Sequence, residues 1–571
     1  MIAGCSTNWQ PLPPLANQAP ETTNLALLAH VYQYQGSGVK STVNRVRELV
    51  PPAKTDRVSD VQTVNDQCLG AFIKGYQDEG GNTFDRNTRG RFKCVMRGAL
   101  AWHAARYGAA AASEPLELML YFNGGLNTKN AVLQTAFDSY RHVMADGYYP
   151  VYMPWPTGPF DTYFEDWLHV RAGRYTKTSA WPTLASVPIR PLNDLLLGIA
   201  ATPGAWSTSA IESARATFFR DNAGFNVRVD DHLIPISKTP GGVGRIDANN
   251  NLYFEDGVDI STRNSLLSRT TDQAIYFGLT PVRLVTTPAI GPGFALWRNM
   301  VRRSRTAFRS RDEFPEEHNI VIDGGRAVDC VQGYEKDAHA RQTCHPQGSG
   351  AFGQFFEWLY ACIEGDDDCP LERNERDKLQ TLRLTLIGHS MGTIVINEAL
   401  NAFPDLPYSN IVYMAGAASV RASAEAVSPV LVRNQGCTRF YNLMLHPLND
   451  ALERTAGGAL LSGSLLSYID EYLEQPKTLP DRTVGQWRNL RQTKHLFPRE
   501  ARHWSLYRVF DRQAAEADDG SGALSWNPIT HGSFNDKNMP FWREDFRKPV
   551  GVSFDPPRQA CEKVFGRVSS N

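Results

Sequence analysis

The sequence carries no surplus charge of either sign. Lys and Arg number 59, Asp and Glu 60, and the net charge is -1. No field is available to gather nucleic acid or a strongly charged substrate, so no nucleic-acid partner is expected. Long apolar runs are missing too. No stretch reaches the roughly 18–20 residues that a membrane-spanning helix needs, and the nearest candidate, Leu195–Pro203, is far shorter. The chain has no internal repeat and no long low-complexity run. No cysteine pair has zinc-ribbon spacing, so no metal site is expected. Gly241-Gly242-Val243-Gly244 lacks the Lys-Ser/Thr of a phosphate loop and is expected to be a turn.

What is present is a globular composition, 42% hydrophobic and 21% charged. A length of 571 residues exceeds what one core usually carries, which predicts one large core with insertions, or two domains. Nine cysteines are present. Met1-Ile2-Ala3-Gly4-Cys5-Ser6 resembles a bacterial lipobox, in which Cys5 becomes the lipidated first residue. The positive and apolar regions of a signal peptide are missing, so a trimmed start and an accidental match both stay open. A Pro-rich stretch follows (Pro11, Pro13, Pro14, Pro20) and suits a semi-stiff spacer. With Cys5 set aside, eight cysteines remain. Cys330 with Cys344 and Cys362 with Cys369 are near enough in sequence to close small loops. Disulfides fit an exported protein, and free core thiols are the alternative.

Leu116 to Phe122 is a nearly continuous apolar run ended by Asn123-Gly124-Gly125-Leu126-Asn127. Such runs suit strands buried on both faces of a parallel sheet. Thr128–Ala145 has helical apolar spacing, and Tyr148–Met153 is the next strand. The pattern returns with strand candidates at Leu382–Ile387, Asn410–Met414, Arg439–Leu445 and His503–Phe510, and a helix at Ile394–Phe403. Alternating strands and helices predict an α/β fold with a mostly parallel sheet and helices on both faces. The pattern breaks between about Trp155 and Gln380. That stretch is too long for a simple connection and is expected to be an insertion carrying a lid or cap. Its most apolar part, Pro191–Ser209, is expected either to shape an acyl pocket or to pack a small core of the insertion. A basic helix candidate, Trp297–Arg311, contains Arg302-Arg303-Ser304-Arg305, a run expected on a solvated face, with anionic lipid heads as the alternative contact. The expected organisation is 1–22 tether, 23–154 first core part, 155–379 insertion, and 380–571 second core part.

Gly388-His389-Ser390-Met391-Gly392 is the single G-x-S-x-G match in the chain, and it sits between a predicted strand and a predicted helix. This is the setting a nucleophile elbow requires: the turn is tight, so the residues flanking the serine must lack bulk. The helix N-terminus behind Ser390 favours developing negative charge. An oxyanion hole needs a second backbone N–H from the turn after an early strand. With Met391 supplying one donor, Leu126 or Gly125 is expected to supply the other. The base is expected to be His531, in the polar loop Thr530–Asp536 after the last strand. His495 and His503 precede or open that strand, His446 belongs with the acid loop, and His389 is expected to pack beside the site. Asp450, following strand Arg439–Leu445, is the expected acid; Asp511 is second and Asp470, in a helical segment, third.

Together, Asn123–Asn127, Gly388–Gly392, His446–Asp450 and His531–Trp542 resemble the α/β-hydrolase superfamily of esterases and lipases. The resemblance implies a large inserted cap. It also implies Ser390 as nucleophile, His531 as base and Asp450 as acid, with ester hydrolysis through an acyl-enzyme. The implied substrate is a small-molecule or lipid ester, and no cofactor is required. Thioesterase, acyltransferase and phospholipase-toxin chemistry use the same groups, and a non-catalytic surface lipoprotein module is the rival class. The bacterial cell envelope, with a membrane tether through Cys5, is the expected location; a cytoplasmic one is the alternative.

Overall fold

In the computed structural model, the six apolar runs form one parallel sheet. The structure describes principally residues 83–155, 291–308, 351–445, 463–510 and 528–547, apart from single positions within them and with short segments between. The strands are β1 (Leu116–Phe122), β2 (Tyr149–Tyr152), β3 (Leu382–His389), β4 (Tyr408–Met414), β5 (Arg439–Met444) and β6 (Ser505–Val509). Their order across the sheet is β6-β5-β4-β3-β1-β2, all neighbours parallel. The chain steps from β1 outward to the edge strand β2. It then returns to the other side of β1 with β3 and continues outward through β4, β5 and β6. Strand order therefore reverses between β1 and β3. Val31 bridges to Tyr152, and Tyr32 donates its N–H to the Tyr152 carbonyl at 2.9 Å, which engages part of the β2 edge.

The strands are apolar on both faces because both faces are covered. Neighbouring residues of a strand point to opposite sides. On β1, Phe122 meets Phe352 at 5.9 Å between ring centroids, while Tyr121 meets Phe541 at 5.1 Å. The longer helices are α1 (Thr83–Tyr107), α2 (Lys129–Ala145), α3 (Gly291–Thr306), α4 (Ala351–Glu364), α5 (Gly392–Ala402) and α6 (Val420–Asn434). Helix α4 buries Phe352, Phe355, Phe356, Leu359 and Ile363, a stripe at helical spacing, and docks Phe355 on Phe92 of α1.

Several expectations for residues 155–379 change here. Helices α3 and α4 come from inside this stretch, yet Trp297, Met300 and the α4 phenylalanines join the main hydrophobic core. On α3, Arg302 and Arg303 are buried rather than on a solvated or lipid-facing side, and Arg302 Nε donates to Asn299 Oδ1 at 2.8 Å. Arg305 alone of that run is exposed, 3.7 Å from Glu398. Residues 192 and 194–200 are helical, but Leu192, Leu195, Leu196, Leu197 and Ile199 are 40–56% exposed. They pack neither a core of the insertion nor an enclosed pocket. The strands described within 155–379 are three short antiparallel pairs: Val170–Arg171 with Arg174–Tyr175, Arg245–Ile246 with Leu252–Tyr253, and Val321–Asp323 with Arg326–Val328.

Cys362 and Cys369 form a disulfide, as their spacing allows, and Cys437 is bonded to Cys561. Cys330 and Cys344 lie outside the described residues, as do Cys5 and residues 241–244. The Cys437–Cys561 bond closes a loop with a sequence separation of 124. A closure of this length restricts the unfolded chain enough to stabilise the fold by about 2–5 kcal/mol. The double variant Cys437→Ser/Cys561→Ser is therefore expected to unfold at a lower urea midpoint; an unchanged midpoint would show that the bond contributes nothing.

Candidate active site

Ser390 follows β3 directly with φ of 52°, a left-handed conformation that a side chain rarely adopts. The surrounding hydrogen bonds hold it there. The Ser390 N–H donates to Met414 O at 2.9 Å. Its carbonyl accepts from Ala417 N (3.0 Å), Thr393 N (3.1 Å) and Thr393 Oγ1 (2.7 Å). Thr393 Oγ1 also accepts from Ala418 N at 3.0 Å, which ties the turn to the segment after β4. The glycine at 392 follows from packing: a Cβ there would stand 2.2 Å from Phe122 O and 2.8 Å from Phe122 C. The start of α5 thus presses directly on the end of β1.

That contact brings the second turn to the serine. A Cβ on Gly124 would stand 3.0 Å from Ser390 Cβ, and one on Gly125 would stand 2.6 Å from Met391 Sδ. The carbonyls of the turn are held away. Trp155 Nε1 donates to Asn123 O at 3.0 Å, while Asn123 Nδ2 and Asn127 Nδ2 donate to Gly124 O at 3.0 and 3.3 Å. Asn123 is a fully buried brace whose Oδ1 also accepts from Trp155 N. Among the hydrogen bonds of the described residues, none uses the N–H of Gly125 or Met391. Leu126 lies outside the described residues.

His531 opens the short helix His531–Asn535 and is buried next to the elbow. Its ring centroid lies 5.2 Å from that of His389, and its carbonyl accepts from His389 Nε2 at 3.0 Å. His389 therefore packs beside the site, as expected from its place inside the motif. Burial holds the His389 imidazole down at about 4, and burial together with the neighbouring His389 holds His531 well below the ordinary histidine range. Both rings are neutral at neutral pH. Ser390 Oγ and both ring nitrogens of His531 are buried without a hydrogen-bond partner among the described residues.

The expected acid does not touch the imidazole of residue 531 through a hydrogen bond. Asp450 lies beyond the end of β5 and is buried, but its Oδ1 accepts from Ser464 Oγ and makes no hydrogen bond to the His531 ring. The carboxylate that reaches residue 531 is Glu453, whose Oε2 accepts the His531 N–H at 2.9 Å. Sequence reasoning missed Glu453. It stands three positions after Asp450, and no periodicity or motif distinguishes the two. Asp470 is committed elsewhere, accepting from Thr483 N (2.9 Å), Thr483 Oγ1 (3.2 Å) and Asn489 Nδ2 (2.7 Å). Asp511 lies outside the described residues.

Burial raises Asp450 to about 6, against the lowering pull of Arg488 and Ser464. The unfolded carboxyl titrates near 3.8. Between about pH 4 and 6 the folded protein keeps a proton that the unfolded chain has shed, so stability falls as pH rises through that window. Above it, the fold carries a buried anion. Asp450→Asn retains an acceptor for Ser464 and removes that charge. It is expected to raise stability at pH 8 by on the order of 1–3 kcal/mol and to leave it nearly unchanged at pH 4. Equal shifts in urea midpoint at the two pH values would contradict the burial argument.

Comparison of the chain with protein-family models, curated proteins and solved structures returns no match.

Proposed function

We propose that this chain is a serine hydrolase of the α/β-hydrolase type that cleaves carboxylic esters through an acyl-enzyme on Ser390. The observation that carries the reading is a serine at positive φ on the C-terminal end of β3, packed against the turn that ends β1. That is the point where strand order reverses and where ligands bind in open parallel sheets. In the proposed reaction His531 takes the Ser390 Oγ proton as Oγ attacks the ester carbonyl. The N–H groups of Met391 and Gly125 bind the oxyanion, with Leu126 the alternative to Gly125. The alcohol leaves with the proton from His531, and water then releases the acid by the same route. In this scheme Asp450 stabilises the charged imidazole through space.

The same reading takes residues 155–379 as the source of the substrate cap, with a lipid-like ester as the favoured substrate. It places the chain in the bacterial cell envelope, tethered through Cys5. The two disulfides between described cysteines support an oxidising compartment. The deciding experiment is labelling with a fluorophosphonate probe alongside hydrolysis of p-nitrophenyl esters of graded chain length. Labelling of the wild type that disappears in Ser390→Ala is expected. Absence of both labelling and hydrolysis in folded wild-type protein would remove the enzyme reading and leave a binding module. Hydrolysis of phospholipid vesicles in preference to short soluble esters would identify a phospholipase.

A further inference from the structure

A base must be held as well as present, and the Ser-His-acid scheme does not say what holds residue 531. Its main chain is gripped from both sides by side chains outside that scheme. Glu453 Oε2 accepts the His531 N–H at 2.9 Å, and His389 Nε2 meets the His531 carbonyl oxygen at 3.0 Å. A carbonyl only accepts, so His389 carries its proton on Nε2. Its Nδ1 has no partner among the described residues and points toward the oxyanion turn, where a Cβ on Gly124 would stand 3.0 Å away. The other end of the short helix is tied as well: Tyr121 Oη donates to Asn535 Oδ1. Glu453 is itself braced, its N–H donating to Asn449 O and its carbonyl accepting from Gly463 N, each at 2.9 Å. The three grips come from β1, from the end of β3 and from the loop after β5. All of them touch the main chain or Asn535, so none occupies the imidazole of residue 531.

Resting on the hydrolase reading above, we propose that Glu453 and His389 are positioning residues that clamp the main chain of His531 and keep its ring within reach of Ser390. Their role is hydrogen bonding to a peptide unit, and a neutral amide of the same reach performs it equally well. A carboxylate serving as the charged partner of the imidazole has no such substitute, because replacing the acid of a triad by its amide costs about 10⁴-fold in kcat. Glutamine at the two positions therefore separates the clamp from a charge role.

The test measures kcat and KM on a p-nitrophenyl ester, together with hydrogen exchange at the residue 531 amide. Glu453→Gln and His389→Gln are expected to stay within about threefold of wild-type kcat, with wild-type exchange protection. Glu453→Leu and His389→Leu are expected to lose about 10²-fold in kcat with KM within about twofold, the cost of a displacement near 1 Å. Glu453→Leu is further expected to speed exchange at residue 531. Should a leucine variant fail to fold, Glu453→Asp, one methylene short of the His531 N–H, is expected to show the same loss. Leucine variants with wild-type kcat would overturn the clamp, and so would glutamine variants as poor as the leucine ones. Ester hydrolysis that survives Ser390→Ala would instead overturn the hydrolase reading, and amide exchange at residue 531 would still report on the clamp.

Discussion

Replacing Ser390 by alanine is expected to abolish fluorophosphonate labelling and lower kcat by about 10⁴–10⁶-fold, the loss seen when a serine nucleophile is removed from a working triad. The same substitution is expected to stabilise the fold. Ser390 Oγ is buried and has no hydrogen-bond partner among the described residues. An unsatisfied buried hydroxyl costs about 1–3 kcal/mol, and removing it disturbs none of the main-chain bonds that hold the turn. His531→Ala is expected to give a comparable loss of kcat, because without a base the serine hydroxyl keeps its proton. Activity and stability should therefore move in opposite directions in Ser390→Ala, as they do where a fold spends stability on a reactive group. A variant that loses activity only because it unfolds at a lower urea concentration would contradict this account.

Gly392→Ala is the second large effect expected, and it acts through backbone contact alone. The added methyl would stand 2.2 Å from Phe122 O, a rigid atom at the end of β1. Either α5 or the end of β1 must shift. A shift of either separates Met391 from the Gly124-Gly125 turn, since both turns meet at this contact. Loss of one oxyanion donor costs about 10²–10³-fold in kcat, and overpacking of this kind costs about 1–3 kcal/mol of stability. Gly532→Ala is the matched control for stability: its Cβ would meet nothing within 4 Å, so a change within about 0.5 kcal/mol is expected. Gly392→Ala with wild-type kcat and wild-type urea midpoint would show that the two turns do not depend on each other.

The strands were legible because burial on both faces leaves a local trace. Leu116–Phe122 and Leu382–His389 are short apolar runs ended by glycines, and tertiary contacts did not displace them by more than a residue or two. The elbow was legible for the same reason, since a tight turn at positive φ with close backbone contacts constrains residues within two positions of Ser390. Helix α3 misled because its arginines look solvent-seeking. Arg302 instead finds an acceptor in Asn299 one turn away and is buried with it. No local pattern announces that pairing.

By itself, the sequence determined an α/β chain with parallel strands and one serine in a tight G-x-S-x-G turn between a strand and a helix. Those features depend on side-chain polarity and backbone conformation over a few residues. Only the tertiary structure decided that β1 and β3 are neighbours, so that Gly124, Gly125 and Ser390 meet at the reversal of strand order. It also decided which carboxylate accepts the main-chain N–H of His531. Asp450 and Glu453 carry the same charge within one turn of chain, and only the path of the segment around residue 531 selects the one that receives its N–H.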